Sequence, residues 1–178
     1  QYSQALNMLA SMMLLPYAAY LVFVRRTAAL VAKGDRPALF QEYRHMLAIF
    51  GGIGLVMALT CVVAAPWLIR LLLGNAFLVS SHLVSLQAVT AILKSINLGL
   101  AVIMVVSYIQ KPRMLVQLLS VVTNIGLNLM LIPMFFERAS VAAYTISEMV
   151  LTIGYSYAVI RHYRSNRELP FLGAVDKA

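Results

Sequence analysis

One stretch of the sequence decides the fold: Pro112–Thr152, which reads PRMLVQLLSVVTNIGLNLMLIPMFFERASVAAYTISEMVLT. It contains two hydrophobic runs with polar residues at helical intervals. In the first run the intervals are three, four and four residues, at Gln117, Ser120, Asn124 and Asn128. In the second run they are four, four and three residues, at Tyr144, Glu148, Thr152 and Tyr155. Such intervals place each set on one face of a helix. The pattern therefore predicts a membrane protein whose apolar helices turn polar faces towards a hydrophilic interior.

The composition indicates an integral membrane protein with an all-α fold. Hydrophobic residues make up 62% of the chain and charged residues 11%, whereas soluble domains carry roughly 25% charged residues. The net charge is +8, but the basic residues cluster between hydrophobic runs, which indicates membrane topology rather than nucleic-acid binding. A single cysteine excludes an internal disulfide and a cysteine metal cluster, and the three histidines are scattered. The sequence therefore predicts neither a metal nor a cofactor.

Five hydrophobic runs are long enough, at about 20 residues each, to cross a bilayer. They are expected near Ala5–Val24, Met46–Leu73, His82–Tyr108, Pro112–Pro133 and Ser140–Ile160. Pro16 is expected to kink the first helix. In the second run, Ala48 and Gly52 are four residues apart, which favours close contact with another helix.

The connecting segments predict the orientation in the membrane. Arg25–Arg44 is predicted as a loop, with a turn at Gly34–Pro37 and an interfacial helical turn at Ala38–Tyr43. The segments between and after the runs hold five, one, two, one and four basic residues along the chain, when Arg70 and Arg113 at the ends of runs are counted with the adjoining segments. Because basic loops stay in the cytoplasm, the alternation supports five spans, with the amino end in the periplasm and the tail in the cytoplasm.

Two charged residues lie inside hydrophobic runs and are the strongest functional candidates. Lys94 belongs to a third polar stripe, whose other members are Gln87, Thr90 and Asn97. Glu148 has mainly apolar neighbours on both sides. Because a charge in lipid is costly, each is expected to face protein or water and to have a partner. Lys94 either binds an anionic substrate in a central cavity or pairs with Glu148, and the two interpretations overlap. Glu148 has a further interpretation as a proton or cation coupling site.

The remaining polar residues have a functional and a structural interpretation. Gln117, Asn124 and Asn128 have amides suited to sugar hydroxyls, but hydrogen bonds between helices, worth roughly 0.6 kcal/mol each, explain them as well. Tyr144 has a ring suited to stacking on a sugar, although packing tyrosines are common. No nucleophile elbow, phosphate loop or pair of carboxylates is present, and only six residues are acidic. The chain is therefore not expected to be an enzyme.

Several segments resemble one transporter family. Asn124–Pro133 is similar to the Asn-Ile-x-Leu-Asn-x-x-Leu-Ile-Pro segment of bacterial polysaccharide flippases, which export O-antigen and related lipid-linked oligosaccharides. These belong to the multidrug/oligosaccharidyl-lipid/polysaccharide exporter superfamily. Ala142–Glu148 resembles a region of their last helix, and Leu73–Phe77 resembles their Phe-Gly-x-x-Phe loop. Tyr2–Ala5 and Ala32–Asp35 resemble the entry to their eighth helix and the loop after it.

The resemblance implies that this chain is the carboxyl-terminal part of a roughly twelve-helix, two-lobe flippase in the bacterial inner membrane. Residues 1–163 would form the transmembrane lobe and residues 164–178 a basic cytoplasmic tail. The implied substrate is an undecaprenyl-pyrophosphate-linked oligosaccharide such as an O-antigen repeat unit. The implied partners are that substrate, membrane lipids, the missing amino-terminal lobe and the polysaccharide assembly machinery, and nucleic acid is not expected. The residues expected to contact the substrate are Lys94, Glu148, Gln87, Asn97, Gln117, Asn124, Asn128 and Tyr144.

Three alternatives remain open at this point. One is a cation-coupled multidrug exporter of the same superfamily, with Glu148 as the coupling site. Another is a membrane-bound glycan polymerase or ligase, although the short loops disfavour such an enzyme. The third is a scaffold subunit without transport activity, which the three polar stripes disfavour.

Overall fold

The computed structural model describes residues 11–64, 67, 85–135 and 137–165. Within these residues the fold is all-α, as the sequence predicts, with five long helices and no strand. In chain order they are α1 Leu14–Lys33, α2 Arg36–Leu59, α3 Ala88–Val106, α4 Gln110–Phe135 and α5 Glu137–Ser165. A π-helical turn at Thr60–Ala64 extends α2.

Four of the described helices are long and apolar enough to cross a membrane. The qualifying stretches are Leu14–Lys33, Arg36–Val63, Ala88–Val106 and Gln110–Pro133. The fifth helix, α5, has 29 residues and is therefore long enough, but its polar residues make it less apolar than the other four. Long apolar helices are typical of membrane proteins, in agreement with the composition.

The connection between α1 and α2 is much shorter than the sequence pattern predicts. The predicted loop at Arg25–Arg44 is wrong, because α1 continues to Lys33 and α2 begins at Arg36. Arginine, alanine, leucine and lysine fill much of this segment, and all four are good helix formers whether or not they are charged. Only Gly34 and Asp35 separate the two helices.

The turn is formed by residues that the sequence pattern predicts for a turn, Gly34 and Asp35. Gly34 has a φ of 70°, the left-handed conformation that ends many helices, and its N–H donates to the Val31 carbonyl at 3.1 Å. Asp35 caps α2, because its carboxylate accepts a hydrogen bond from the Ala38 N–H at 3.1 Å. Pro37 follows in the first turn, where a missing N–H costs nothing. The first two helices therefore form a tight helical hairpin.

Other helix ends also differ from the predicted spans. Pro16 lies in the first turn of α1, and a turn at Met13 separates α1 from the helical residues Ser11 and Met12. The kink that Pro16 is expected to cause stays a prediction. Helix α5 continues past its predicted end at Ile160 to Ser165, into the predicted tail. The predicted end of the second span, the start of the third and the tail from residue 166 lie outside the described residues.

Helix α3 occupies the centre of the bundle and packs against the other four helices. Its residues Val102 and Met104 are fully buried, as are Met46 and Phe50 of α2. Together with Phe23 of α1 they belong to the main hydrophobic core. Because α3 lies at this centre, polar residues on its surface face other helices rather than the surroundings of the protein.

Two glycines allow α2 and α3 to approach closely. A Cβ atom added at Gly54 would lie 2.9 Å from the α3 backbone, and one added at Gly99 would lie 3.1 Å from the Phe50 ring. The predicted contact through Ala48 and Gly52 is wrong, because Ala48 is exposed and Gly52 faces open space. Gly52 is two residues from Gly54, which on a helix places it on nearly the opposite face.

A cluster of three hydroxyl groups joins the ends of three helices. The Tyr43 hydroxyl is 2.9 Å from the Tyr163 hydroxyl and 3.3 Å from Ser107 Oγ, and the last two are 2.8 Å apart. Tyr43 is near the start of α2, whereas Ser107 follows α3 and Tyr163 is near the end of α5. The three segments richest in basic residues therefore lie at one end of the bundle, as the charge alternation predicts. That this end faces the cytoplasm stays a prediction.

Candidate functional site

A cavity of about 370 Å³ lies between α1, α3, α4 and α5. Its charged side chains are Lys94, Arg113 and Glu148, and its amides are Asn97 and Gln117. Its hydroxyl groups belong to three tyrosines, Tyr17, Tyr20 and Tyr155. We call this space the Lys94 cavity. Part of each of the three polar stripes, on α3, α4 and α5, lines this cavity.

Asn97 holds the Glu148 carboxylate in position. The Asn97 amide nitrogen donates to Glu148 Oε2 at 2.8 Å and to the Glu148 carbonyl at 3.1 Å. The amide oxygen accepts a hydrogen bond from the Thr152 hydroxyl at 2.8 Å, and that hydroxyl is also 2.8 Å from the Glu148 carbonyl. Both ends of the amide are therefore used, and its orientation is fixed. Since Glu148 is buried, these hydrogen bonds reduce the cost of removing its carboxylate from water.

Lys94 forms the predicted pair with Glu148, but at long range. Its Nζ atom lies 4.0 Å from Glu148 Oε1, and the Lys94 side chain is 24% exposed. The same Nζ atom lies 4.8 Å from the centre of the Tyr144 ring, in a cation–π contact. Both contacts are longer than a direct charge-assisted hydrogen bond of about 2.8 Å. The ammonium group therefore keeps room for a closer anionic partner.

Arg113 is a cavity residue that the sequence interpretation did not include among its candidates. The structure places Arg113 in the first turn of α4, where its side chain lines the cavity beside Tyr155 and Gln117. The interval of four residues between Arg113 and Gln117 continues the stripe of α4 by one turn. That interval was the available signal. Glu148 and Tyr155 are seven residues apart on α5, or about 10 Å, so the cavity presents cations at two levels.

The other predicted residues of α4 do not line this cavity. Asn128 donates through its amide nitrogen to the Asn124 carbonyl at 2.9 Å and to the Asn124 side-chain oxygen at 3.1 Å. Both amides therefore pair within one helix. Ser120, on the same stripe, donates to the Ser147 carbonyl at 2.9 Å and joins α4 to α5.

Gln87 and Tyr144 have different surroundings from the rest of the predicted set. Gln87 precedes α3 and is only 1% exposed, and neither amide atom has a hydrogen-bond partner among the described residues. It does not line the Lys94 cavity. Tyr144 contacts Lys94 through its ring and packs against a small hydrophobic cluster that includes Met57 and Ala91. It therefore positions the lysine instead of lining the open space.

Comparison with protein-family models, curated proteins and solved structures found no match. The functional argument therefore depends on the chemistry of the cavity.

That chemistry suits binding of an anion. Two basic side chains and one acidic side chain line the cavity, so its charged groups carry a surplus of positive charge. Amides and tyrosine hydroxyls add neutral hydrogen-bonding groups. Among the described residues, no group of three or more histidine, cysteine, aspartate or glutamate side chains is placed to hold a metal ion.

Proposed function

We propose that this chain forms one lobe of a membrane transporter that moves a lipid-linked oligosaccharide, with its pyrophosphate, across the bacterial inner membrane. The observation that carries the proposal is the position of Lys94. It reaches a polar cavity inside an apolar helix bundle, and its partner carboxylate is 4.0 Å away. Charged residues at such depth are rare unless they serve a pathway or a ligand.

Arg113 strengthens the argument for an anionic substrate. A purely structural role for Lys94 needs only Glu148, and that pair is electrically neutral. Among the described residues, Arg113 has no carboxylate partner, yet it lines the same cavity. The two negative charges of a lipid-linked pyrophosphate would match the two cations, Lys94 and Arg113.

Each residue of the cavity has a separate role in the proposed transport. Lys94 moves from Glu148 to the substrate anion, while Asn97 keeps the vacated carboxylate hydrogen-bonded. Thr152 donates to the Asn97 amide oxygen and so keeps that amide in position. Gln117 and the tyrosines contact sugar hydroxyls. The lipid tail stays among the bilayer lipids, and a second lobe completes the cavity and rocks against this one.

A cation-coupled exporter is the second candidate, and the buried, cavity-facing Glu148 favours it. In such a transporter Glu148 would bind a proton or a cation in turn with the substrate. The two cations of the cavity, Lys94 and Arg113, would repel a cationic drug, so the flippase explains the cavity better.

The experiment measures surface polysaccharide in a strain that lacks its own flippase and expresses the full-length protein. Lys94→Ala should abolish export at unchanged protein abundance, whereas Lys94→Arg should retain much of it. Arg113→Ala should lower export as well. The matched control is Lys111→Ala, which removes an exposed cation outside the cavity. Normal export by a well-expressed Lys94→Ala variant would refute the proposal, and efflux of organic cations would favour the exporter.

A further inference from the structure

A second charged space lies between α1 and α2, beside their two-residue turn. It is an open groove of about 1220 Å³, and it shares no residue with the Lys94 cavity. Its charged side chains are Arg26, Lys33, Glu42 and Arg44. We call it the basic groove.

The one carboxylate of the basic groove is already paired. Arg26 Nε lies 2.7 Å from Glu42 Oε1, and the Glu42 side chain is 7% exposed. The Arg26 side chain is 61% exposed, so its remaining N–H groups are available to a ligand. Lys33 and Arg44 are also exposed, and neither has a carboxylate partner among the described residues. With three cations and one anion, the groove keeps a surplus of two positive charges.

The cations of the basic groove lie at two levels along α1 and α2, near the end of the bundle where these helices turn. Arg26 is seven residues before the end of α1 and Arg44 is eight residues after the start of α2, so both lie about 10–12 Å from the turn. Lys33 lies at the turn itself. Arg26 and Arg44, on facing helices, therefore lie at similar distances from the turn, and Lys33 lies closer to it. Guanidinium groups match the oxygens of phosphate well.

The surroundings of the groove favour a phosphate that is attached to a lipid. Val22, one turn from Arg26 on the same face of α1, is 63% exposed. Phe40, which lines the groove, is 48% exposed. An apolar surface directly beside a basic groove offers contacts to acyl chains as well as to the headgroup.

We infer that the basic groove is a binding site for a phosphate anion, supplied by the headgroup of an anionic membrane lipid. The site is separate from the cavity of the proposed function and does not depend on it.

The test measures lipid binding to the purified full-length protein in neutral detergent by native mass spectrometry. The probes are phosphatidylglycerol, zwitterionic phosphatidylcholine and inorganic phosphate. The groove variant is Lys33→Gln with Arg44→Gln, and the control is Arg25→Gln with Lys111→Gln. The control removes the same charge from exposed positions outside the groove. Protection of the buried Cys61 thiol from labelling shows that each variant is folded.

We expect phosphatidylglycerol to bind the groove variant about 30-fold more weakly than the natural protein, at about 1 kcal/mol per basic residue. The control should bind as the natural protein does. Competition by inorganic phosphate would support the phosphate site and point to a soluble source, whereas failure of phosphate to compete would support the lipid. An equal loss of phosphatidylglycerol binding in the groove variant and in the control would overturn the inference. Equal binding of phosphatidylglycerol and phosphatidylcholine, together with no binding of inorganic phosphate, would also overturn it.

Discussion

The hydrogen bonds of Asn97 predict that this amide, and not Lys94, holds α3 and α5 together at the cavity. The perturbation is Asn97→Leu, which keeps the side-chain size but removes every polar contact. It breaks the bonds to the Glu148 carboxylate and carbonyl and the bond from Thr152, at 2.8, 3.1 and 2.8 Å. Hydrogen bonds between membrane helices average about 0.6 kcal/mol and reach about 1.7 kcal/mol. With the upper value for the carboxylate bond, the expected loss is about 3 kcal/mol.

The comparison is with Lys94→Met, which removes a contact of 4.0 Å from a side chain that is 24% exposed. Partly solvated ion pairs contribute about 0–1 kcal/mol, so this variant should lose about 1 kcal/mol. Asn128→Leu is the matched control, because among the described residues that amide pairs with Asn124 alone, within its own helix. It should be close to the natural protein in stability.

The assay uses a reporter that the chain already contains. Cys61 is the only cysteine of the chain and is fully buried, so a thiol-reactive dye labels it when the helices separate. Labelling is followed against denaturant in detergent, after replacement of any cysteine outside residues 1–178. If Lys94→Met destabilises the protein as much as Asn97→Leu does, the role of Lys94 is structural. The argument that it is free to bind an anion would then fail.

Three further predictions concern other parts of the fold. Tyr108 has a left-handed φ of 57° directly after α3, so Tyr108→Gly should stabilise the protein by about 0.5–1 kcal/mol in the same labelling assay; destabilisation would refute this explanation. A Cβ atom at Gly154 would overlap the side chain of Val116 on α4, so Gly154→Ala should cost about 1–3 kcal/mol. Gly126→Ala, which meets open space, should cost nothing, and equal effects would contradict the packing argument. Cysteines at Lys33 and Lys111 should be labelled by an impermeant reagent from the cytoplasmic side alone, and labelling from opposite sides would exclude the predicted orientation.

The polar stripes predicted the site better than the charge pattern predicted the helices. Intervals of three and four residues placed Lys94, Asn97 and Glu148 on facing surfaces, because helical periodicity is a local property that tertiary packing preserves. The charge pattern placed a loop at Arg25–Arg44, where two helices are present. Basic residues determine which side of a membrane a segment occupies, but arginine and lysine also favour helix, so a helix continues beyond the apolar stretch.

The sequence did not determine which of several residues with the same helical spacing would make a given contact. Ala48 and Gly52 have the spacing of a helix contact, yet Gly54 and Gly99 make it, because rotation of a helix about its axis depends on its neighbours. Similarly, the stripe of α4 includes residues that bond within the helix and others that reach the cavity. Arg113 belongs to the second group, and only the position of α5 beside it decides this.

The hydroxyl cluster of Tyr43, Ser107 and Tyr163 has a mechanical consequence. Because these hydroxyl contacts join three helices at one end, the helices resist separation there, and a force on one of them is transmitted to the other two. In the proposed transporter, such a lobe would move as one stiff body, and the bending needed for alternating access would fall on the segments that join it to the other lobe. Tyr43→Phe would remove the Tyr43 contacts to Tyr163 and Ser107, so these helix ends would move more independently of one another.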